Sequence, residues 1–268
     1  MPPVTPRTAP SRTRLDQLLV ERGLAPSRER AQALILAGAV RIAGRVADRA
    51  AAPVHADAIV TVDPGPRFVS RGGEKLDGAL ADFGVSVDGA IVLDVGASTG
   101  GFTDRVLQGG ARRVYAIDVG HGQLDWRLRN DPRVVSREGL NARTGFDLPE
   151  PVDLIVADLS FISLAVALPP SFAHLRDGGD VIALVKPQFE AGRAAVGRGG
   201  IVRDPAARAG AVVAVAECFT AAGVACIAIA SSRITGREGN REIFIHARKG
   251  DAGLAPGRIR ERAREEAE

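Results

Sequence analysis

The sequence predicts an α/β protein: a mainly parallel sheet with helices on both faces, preceded by a small α+β module. Three observations carry this. Beyond residue 70, short apolar runs alternate with helical stretches, the pattern of repeated strand–helix–strand units. A Pro-Gly-Pro stop at residues 64–66 separates that region from what precedes it, as a linker does. The preceding part reads as two short helices followed by short strands. A chain of 268 residues has room for one full domain and such a module.

Taken in order, residues 1–13 are rich in Pro and Thr and lack the apolar stretch of a signal peptide, so they are expected to be a disordered tail. Residues 14–63 form the module. Leu15, Leu18, Leu19 and Leu24 share a helical stripe that stops at Gly23. Ser27 is a ready N-cap for a second helix through Ala31, Leu34, Ile35 and Leu36 to Gly38. A strand at Ala39–Ile42, a turn at Ala43-Gly44 and a strand at Ala58–Val62 follow.

Residues 64–70 are the linker and 71–250 the larger domain. Its strands are expected at Ile91–Val95, Arg113–Asp118, Val134–Val135, Leu154–Asp158, Val181–Val185, Val224–Ala230 and Glu242–His246. Helices fit between them at Phe102–Gln108, Gln123–Arg129, Leu164–His174 and Ala206–Ala222. The last strand follows its predecessor closely enough to pair with it as an antiparallel hairpin. Residues 251–268 are a charged C-terminal helix or tail. The apolar run 211–230 is broken by Glu217, Thr220 and Gly223, whereas a span needs about 20 predominantly apolar residues. A buried helix followed by a buried strand is the better fit.

Charge is uneven along the chain. Residues 1–49 hold nine Arg against four acidic residues, and the remainder holds 26 basic against 28 acidic. A basic lobe on a near-neutral body suits a polyanionic partner. Cys218 and Cys226 have neither metal-ligand nor disulfide-framework spacing, and a cytoplasmic protein without a metal is the natural expectation.

The run Leu15-Asp-x-Leu-Leu-Val-x-Arg22-Gly-Leu-x-x-Ser27-Arg28, continuing to Ile42, resembles the S-four-type RNA-binding domain of ribosomal proteins and RNA-modifying enzymes. The resemblance implies RNA contacts from Arg14, Arg22, Arg28, Arg30 and Arg41, with Arg71 beyond the linker. Where that family often has Asn-Gly in its turn, this chain has Ala43-Gly44.

The segment Asp94-Val-Gly96-Ala-Ser98-Thr99-Gly100-Gly-Phe102 falls where the first strand of the larger domain meets a helix. Open α/β sheets bind ligands at such strand ends. The Gly-x-x-x-Gly spacing differs from the Gly-x-Gly-x-x-Gly of pyrophosphate-binding turns, so a cofactor without a pyrophosphate is preferred. Asp118 ends the next strand, in the right place to accept hydrogen bonds from ribose hydroxyls. Together they resemble the first two motifs of the Rossmann-like class I methyltransferases, whose cofactor is S-adenosylmethionine. That resemblance puts the methionine end of the cofactor at Gly96, Ser98, Thr99 and Gly100, within the loop that Asp94 and Phe102 bound. It puts the ribose at Asp118 and the adenine side near Asn141.

The acceptor class follows from what surrounds the fourth strand. Amino-group methyltransferases commonly have an Asn/Asp-Pro-Pro-aromatic turn there, and this chain has Asp158-Leu-Ser-Phe161. Carbon-5 cytosine enzymes need a nucleophilic cysteine, but both cysteines read as core. A ribose hydroxyl needs a positioned base. Only three lysines occur among 35 basic residues: Lys75, Lys186 and Lys249. Unlike Arg, a Lys can surrender its proton. Lys186 and Asp158 end strands expected to be neighbours, and a second ammonium from Lys75 is expected to disfavour protonation of Lys186.

Val69-Ser-Arg-Gly-Gly-Glu-Lys75, the cofactor loop, Val156-Ala-Asp158-Leu-Ser-Phe-Ile-Ser, Leu184-Val-Lys186-Pro-Gln-Phe-Glu190 and Gly239-Asn-Arg-Glu242 occur in one order. In this the chain resembles the TlyA family, which joins an S-four-type domain to an FtsJ-like ribose 2′-O-methyltransferase domain and has often been labelled haemolysin. The resemblance implies a Lys75–Asp158–Lys186–Glu242 tetrad and methylation of cytidine ribose in the RNA of ribosomal subunits, with no membrane and no obligate protein partner. Two rival readings are a catalytically silent RNA-binding regulator and a membrane-lytic haemolysin. The four tetrad residues speak against the first; the lack of a signal peptide or strongly amphipathic lytic helix speaks against the second.

Overall fold

A computed structural model describes residues 12–63, 65–236 and 238–268. The expected N-terminal tail lies outside these residues, apart from Arg12 and Thr13. The chain divides into two compact units, residues 1–67 and 68–268.

In the first unit, β1 (Arg12–Arg14) leads into α1 (Leu15–Glu21) and α2 (Arg28–Leu36), followed by β2 (Val40–Ile42), β3 (Arg45–Val46), β4 (Pro53–His55) and β5 (Val60–Val62). Strand β1 pairs antiparallel with β4, while β2 is the centre of a three-stranded sheet between β3 and β5. Arg12 and Thr13 therefore belong to the module, paired with His55 and Val54, rather than to a tail. The Ser27 side chain caps α2 by accepting from the Arg30 backbone N–H at 3.2 Å, as the sequence suggests. Leu15, Leu18, Leu19, Ala31, Ile35 and Val40 form the core. Leu24 lies past the end of α1 and is exposed. The two-residue hairpin loop has φ 46° at Ala43 and 81° at Gly44, the double positive φ that a type I′ turn requires.

The second unit opens with α3 (Arg71–Phe83), a helix absent from the sequence reading. It continues through β6 (Ile91–Val95), α4 (Gly101–Gln108), β7 (Arg113–Asp118), α5 (Trp126–Arg129), β8 (Val134–Glu138), β9 (Val152–Ala157), α6 (Leu164–Ala167), β10 (Leu175–Val185), α7 (Pro187–Glu190), α8 (Pro205–Ala221), β11 (Val224–Ser231), β12 (Ile243–Lys249) and α9 (Pro256–Ala267). The helix expected over Leu164–His174 is α6 followed by a 3₁₀ segment from Pro169, because consecutive prolines interrupt the α-helical hydrogen bonding. The charged C-terminus is the helix α9, which buries Ile259, Ala263 and Ala267. Phe68, within the expected linker, is buried in this unit, where a Cβ at Gly73 would collide with its ring.

Seven strands form one sheet in the order β11-β12-β10-β9-β6-β7-β8. The pairs β10/β9, β9/β6, β6/β7 and β7/β8 are parallel, whereas β12 runs antiparallel to both its neighbours. The expected hairpin of the last two strands is therefore present. Apolar side chains cover both faces of the sheet in two clusters, consistent with the near-continuous apolar strands. Among the described residues, no helix is long and apolar enough to cross a membrane.

Candidate active site

The order of strands reverses between β6 and β9, so the connections that leave their carboxyl ends diverge there. In a doubly wound sheet that divergence is where a crevice forms. A cavity of about 540 Å³ occupies it, lined in part by Gly96 and Ser98 after β6, Asp118 at the end of β7, Asn141, and Asp158 after β9. Gly96 has φ 83°, and a Cβ there would lie 2.7 Å from Leu159 Cδ2 and 3.1 Å from the Asp158 carbonyl oxygen. Only glycine lets the loop pass so close to the neighbouring strand end.

Ser98 continues the turn in left-handed geometry at φ 47°. Its backbone N–H donates to Asp118 Oδ2 at 2.8 Å, and its hydroxyl bonds Gln123 Oε1 at 3.1 Å. The Gly120 N–H donates to Asp118 Oδ1 at 2.7 Å. Two backbone donors thus fix the Asp118 carboxylate at the cavity wall, and each oxygen keeps a lone pair for a ligand hydroxyl. Asn141 caps the following 3₁₀ turn through its Oδ1 and also lines the cavity.

A smaller pocket of about 150 Å³ adjoins this cavity and shares Gly96, Ser98, Asp158 and Ser160 with it. Lys186, Thr99, Phe102 and Ser70 also line this pocket. Parallel pairing of β9 with β10, in register at Ala157 and Ala183, carries Asp158 and Lys186 to the same edge. Lys186 Nζ lies 2.6 Å from Asp158 Oδ1 and donates to Ser160 Oγ at 2.8 Å. The approach to Asp158 is ionic without hydrogen-bond alignment: Oδ1 is buried and has no hydrogen-bond partner among the described residues.

Lys75, on α3, donates to Glu242 Oε2 at 2.5 Å, and both side chains are almost fully buried. The Lys75 ammonium is thus neutralised by its own carboxylate. It is not the bare second charge that the sequence reading set against Lys186. A Cβ at Gly236 would lie 2.8 Å from Glu242 Oε1, so a larger residue there would press on the Glu242 carboxylate.

A model described as the FtsJ-like methyltransferase family matches residues 68–249, and one described as the S4 domain matches residues 13–60. A 16S/23S rRNA (cytidine-2′-O)-methyltransferase, TlyA, of Mycobacterium tuberculosis is 49% identical over 241 residues, covering 88% of this chain and 90% of its own. The chain belongs to the TlyA family of FtsJ-like methyltransferases. A solved hemolysin-named protein from Streptococcus thermophilus is 39% identical to this TlyA-family chain, covers 96% of both chains and superposes with a TM-score of 0.70. Fibrillarin of Aeropyrum pernix, solved with natively bound S-adenosyl-L-methionine, shares the fold at 16% identity and a TM-score of 0.50, over 78% of this chain and 94% of its own.

Within this TlyA-type site, two loop residues face away from the cavity. Asp94 is completely buried and accepts from Thr103 Oγ1 at 2.6 Å; burial pushes its carboxyl up to about 7, against the opposing bond from Thr103. It lies beneath the loop rather than in it. Gly100 turns towards α5, where a Cβ would meet Leu128 and Leu124. Ser160 and Gln123 escaped the sequence reading, since a lone Ser or Gln has no spacing that marks it out.

The arginines of the first unit divide into two sets. Arg14 and Arg28 bond the fully buried Asp16, at 2.9 Å and 3.3 Å, and Gln32 adds a bond at 3.0 Å. The Arg14 guanidinium, above all, holds the Asp16 carboxyl well below the usual range. Arg22 donates to the carbonyls of Ala58 and Ala56 at 2.6 Å and 2.5 Å. Arg30 and Arg41 are exposed, and their side chains make no hydrogen bond or ion pair among the described residues. Arg71, in the second unit, donates to the Thr235 carbonyl at 2.6 Å.

Proposed function

We propose that this methyltransferase transfers a methyl group from S-adenosylmethionine to the 2′-hydroxyl of a cytidine ribose in ribosomal RNA, acting on ribosomal subunits. The observation that carries it is the contact between Lys186 and Asp158 at the junction of the two pockets. An amine and a carboxylate, with no cysteine and no proline-lined amide clamp, suit activation of a hydroxyl.

The larger cavity fits S-adenosylmethionine: Asp118 would hold the ribose hydroxyls, Gly96 admits the cofactor against the backbone, and Asn141 borders the remaining wall. When bound, the cofactor supplies an electrophilic methyl carbon on a sulfonium. The work left to the chain is to align the acceptor and take its proton. Lys186 Nζ, in its neutral form, would accept the proton that the 2′-hydroxyl loses on taking the methyl group, the C–S bonding pair staying on the cofactor's sulfur. Asp158 then stabilises the ammonium produced, and Ser160 fixes the lysine rotamer. Lys75 and Glu242 act as a positioning pair that holds α3 against the loop before β12. Arg30 and Arg41 offer phosphate contacts from the first unit.

The test is ribose-methylation mapping on ribosomal subunits from a strain lacking the enzyme, incubated with the purified full chain and S-adenosylmethionine. The expected result is a 2′-O-methyl mark that appears at a cytidine only when both are present. A mark on a base nitrogen, or none on either subunit, would overturn the proposal.

A further inference from the structure

A cavity of about 510 Å³ lies beside the cofactor-sized one and shares Phe161 and Ile162 with it. Gln188, Phe189 and Arg193 line its far side. The rings of Phe161 and Phe189 have their centroids 5.2 Å apart. Phe161 is 90% exposed although its backbone is in the left-handed region at φ 66°, so a strained turn holds a large apolar ring out in solvent. Strain of this kind persists where the surrounding structure enforces it, and it concentrates at ligand sites.

Gln188 sits on α7, two residues beyond Lys186. Its Oε1 is buried and has no hydrogen-bond partner among the described residues. The neighbouring acceptor on the same turn is committed: Glu190 accepts from Ser163 Oγ at 2.5 Å and from the Leu164 N–H at 2.7 Å. A buried carbonyl without a donor is costly in the free protein, and a ligand N–H that meets it removes that cost. Arg193 is exposed at the rim, and its side chain has no partner among the described residues. An apolar wall, one uncommitted acceptor and a cation at the edge match a nucleotide base with an exocyclic amine and its phosphate.

We propose that Gln188 is the specificity-determining residue of the reaction. Its Oε1, buried in the free protein, turns into the cavity to accept a hydrogen bond from the 4-amino group of the target cytosine, whose ribose stands beside Lys186. At the same position uracil presents a carbonyl, which would face Oε1 acceptor to acceptor. A site built around a buried polar group discriminates strongly against a substrate that leaves that group unpaired. The inference rests on the reading of the enzyme as a cytidine 2′-O-methyltransferase.

The experiment uses the full chain and subunits whose mapped target is either the native cytidine or a uridine introduced at that position. Single-turnover methylation is measured on both, with S-adenosylmethionine affinity as a control for folding. Wild type should favour cytidine by at least about tenfold. Gln188→Met, of similar length but lacking the carbonyl, should lower the cytidine rate and bring the ratio close to one. Gln188→Glu keeps an acceptor and should retain the preference. If Gln188→Met keeps the wild-type ratio, or if the Met and Glu variants discriminate alike, the inference is overturned. A wild type that methylates neither substrate removes the underlying reading instead, so the two failures are distinguishable.

Discussion

Lys75 Nζ and Glu242 Oε2 meet at 2.5 Å across a sequence separation of 167 residues, with side chains 10% and 3% exposed. The bond ties α3, the first helix of the second unit, to the residue that precedes β12. A buried pair of this kind is weak support for stability, yet removing one partner strands a charge.

Glu242→Leu should therefore destabilise the second unit by roughly 3 kcal/mol, measured by denaturant unfolding, and abolish methyl transfer. The double variant Lys75→Met/Glu242→Leu should regain most of the stability without regaining activity. Recovery of activity in the double variant would show that apolar packing positions α3 as well as the ion pair does, and would remove the positioning role from Lys75 and Glu242.

Asp94 gives a pH dependence with a definite sign. Its carboxyl is pushed up to about 7 by burial, whereas an unfolded Asp releases its proton near 3.9. Between those values the folded state binds more protons than the unfolded state, so this group's contribution to stability falls as pH rises. The slope approaches about 1.4 kcal/mol per pH unit. Asp94→Asn keeps an acceptor for Thr103 and removes the titration. Wild type should therefore lose stability relative to Asp94→Asn between pH 5 and pH 8, read from paired denaturant midpoints. A constant difference across that range would contradict the assignment.

The arginines of the first unit predict separable effects. Arg30→Ala and Arg41→Ala should each weaken RNA binding and reduce the salt slope by about 0.9, the value for one lost phosphate contact to a duplex. Arg22→Ala removes the bonds to Ala56 and Ala58 and should instead lower protection of the first unit in hydrogen exchange. An unchanged salt slope in the Arg30 and Arg41 variants would sink the phosphate-contact assignment.

Ala43 occupies a left-handed position that suits Asn or Gly. Ala43→Asn should stabilise the first unit by about 0.5–1 kcal/mol, visible as slower exchange of α1 and α2 amides in the full chain. Slower exchange should leave RNA affinity unchanged. If exchange accelerates, the turn is not the I′ hairpin that its φ angles describe.

Much of this was legible in the sequence because apolar periodicity and turn residues are local signals. The strands β6, β7 and β11 fall within one residue of where their apolar runs put them, and Asp158 meets Lys186 because neighbouring parallel strands end together. The misses have non-local causes. Helix α3 opens with Arg71 and then two glycines, weak helix formers, and is held by packing of Leu76, Ala79 and Leu80 in the core. Arg14 and Arg28 read as free positive charge until Asp16, buried between two helices, is seen to bind both. The Lys75–Glu242 pairing, too, depends on tertiary closure that no spacing encodes.

If Lys186 takes the proton of the ribose hydroxyl, Lys186→Arg separates that role from charge alone. Arginine keeps the charge and approximate length but stays protonated, whereas Lys186→Ala removes both charge and base. Single-turnover methylation of ribosomal subunits should fall on the order of a hundredfold or more in both variants, with S-adenosylmethionine affinity preserved. A near wild-type rate for Lys186→Arg would rule out Lys186 as the base and leave it a positioning charge.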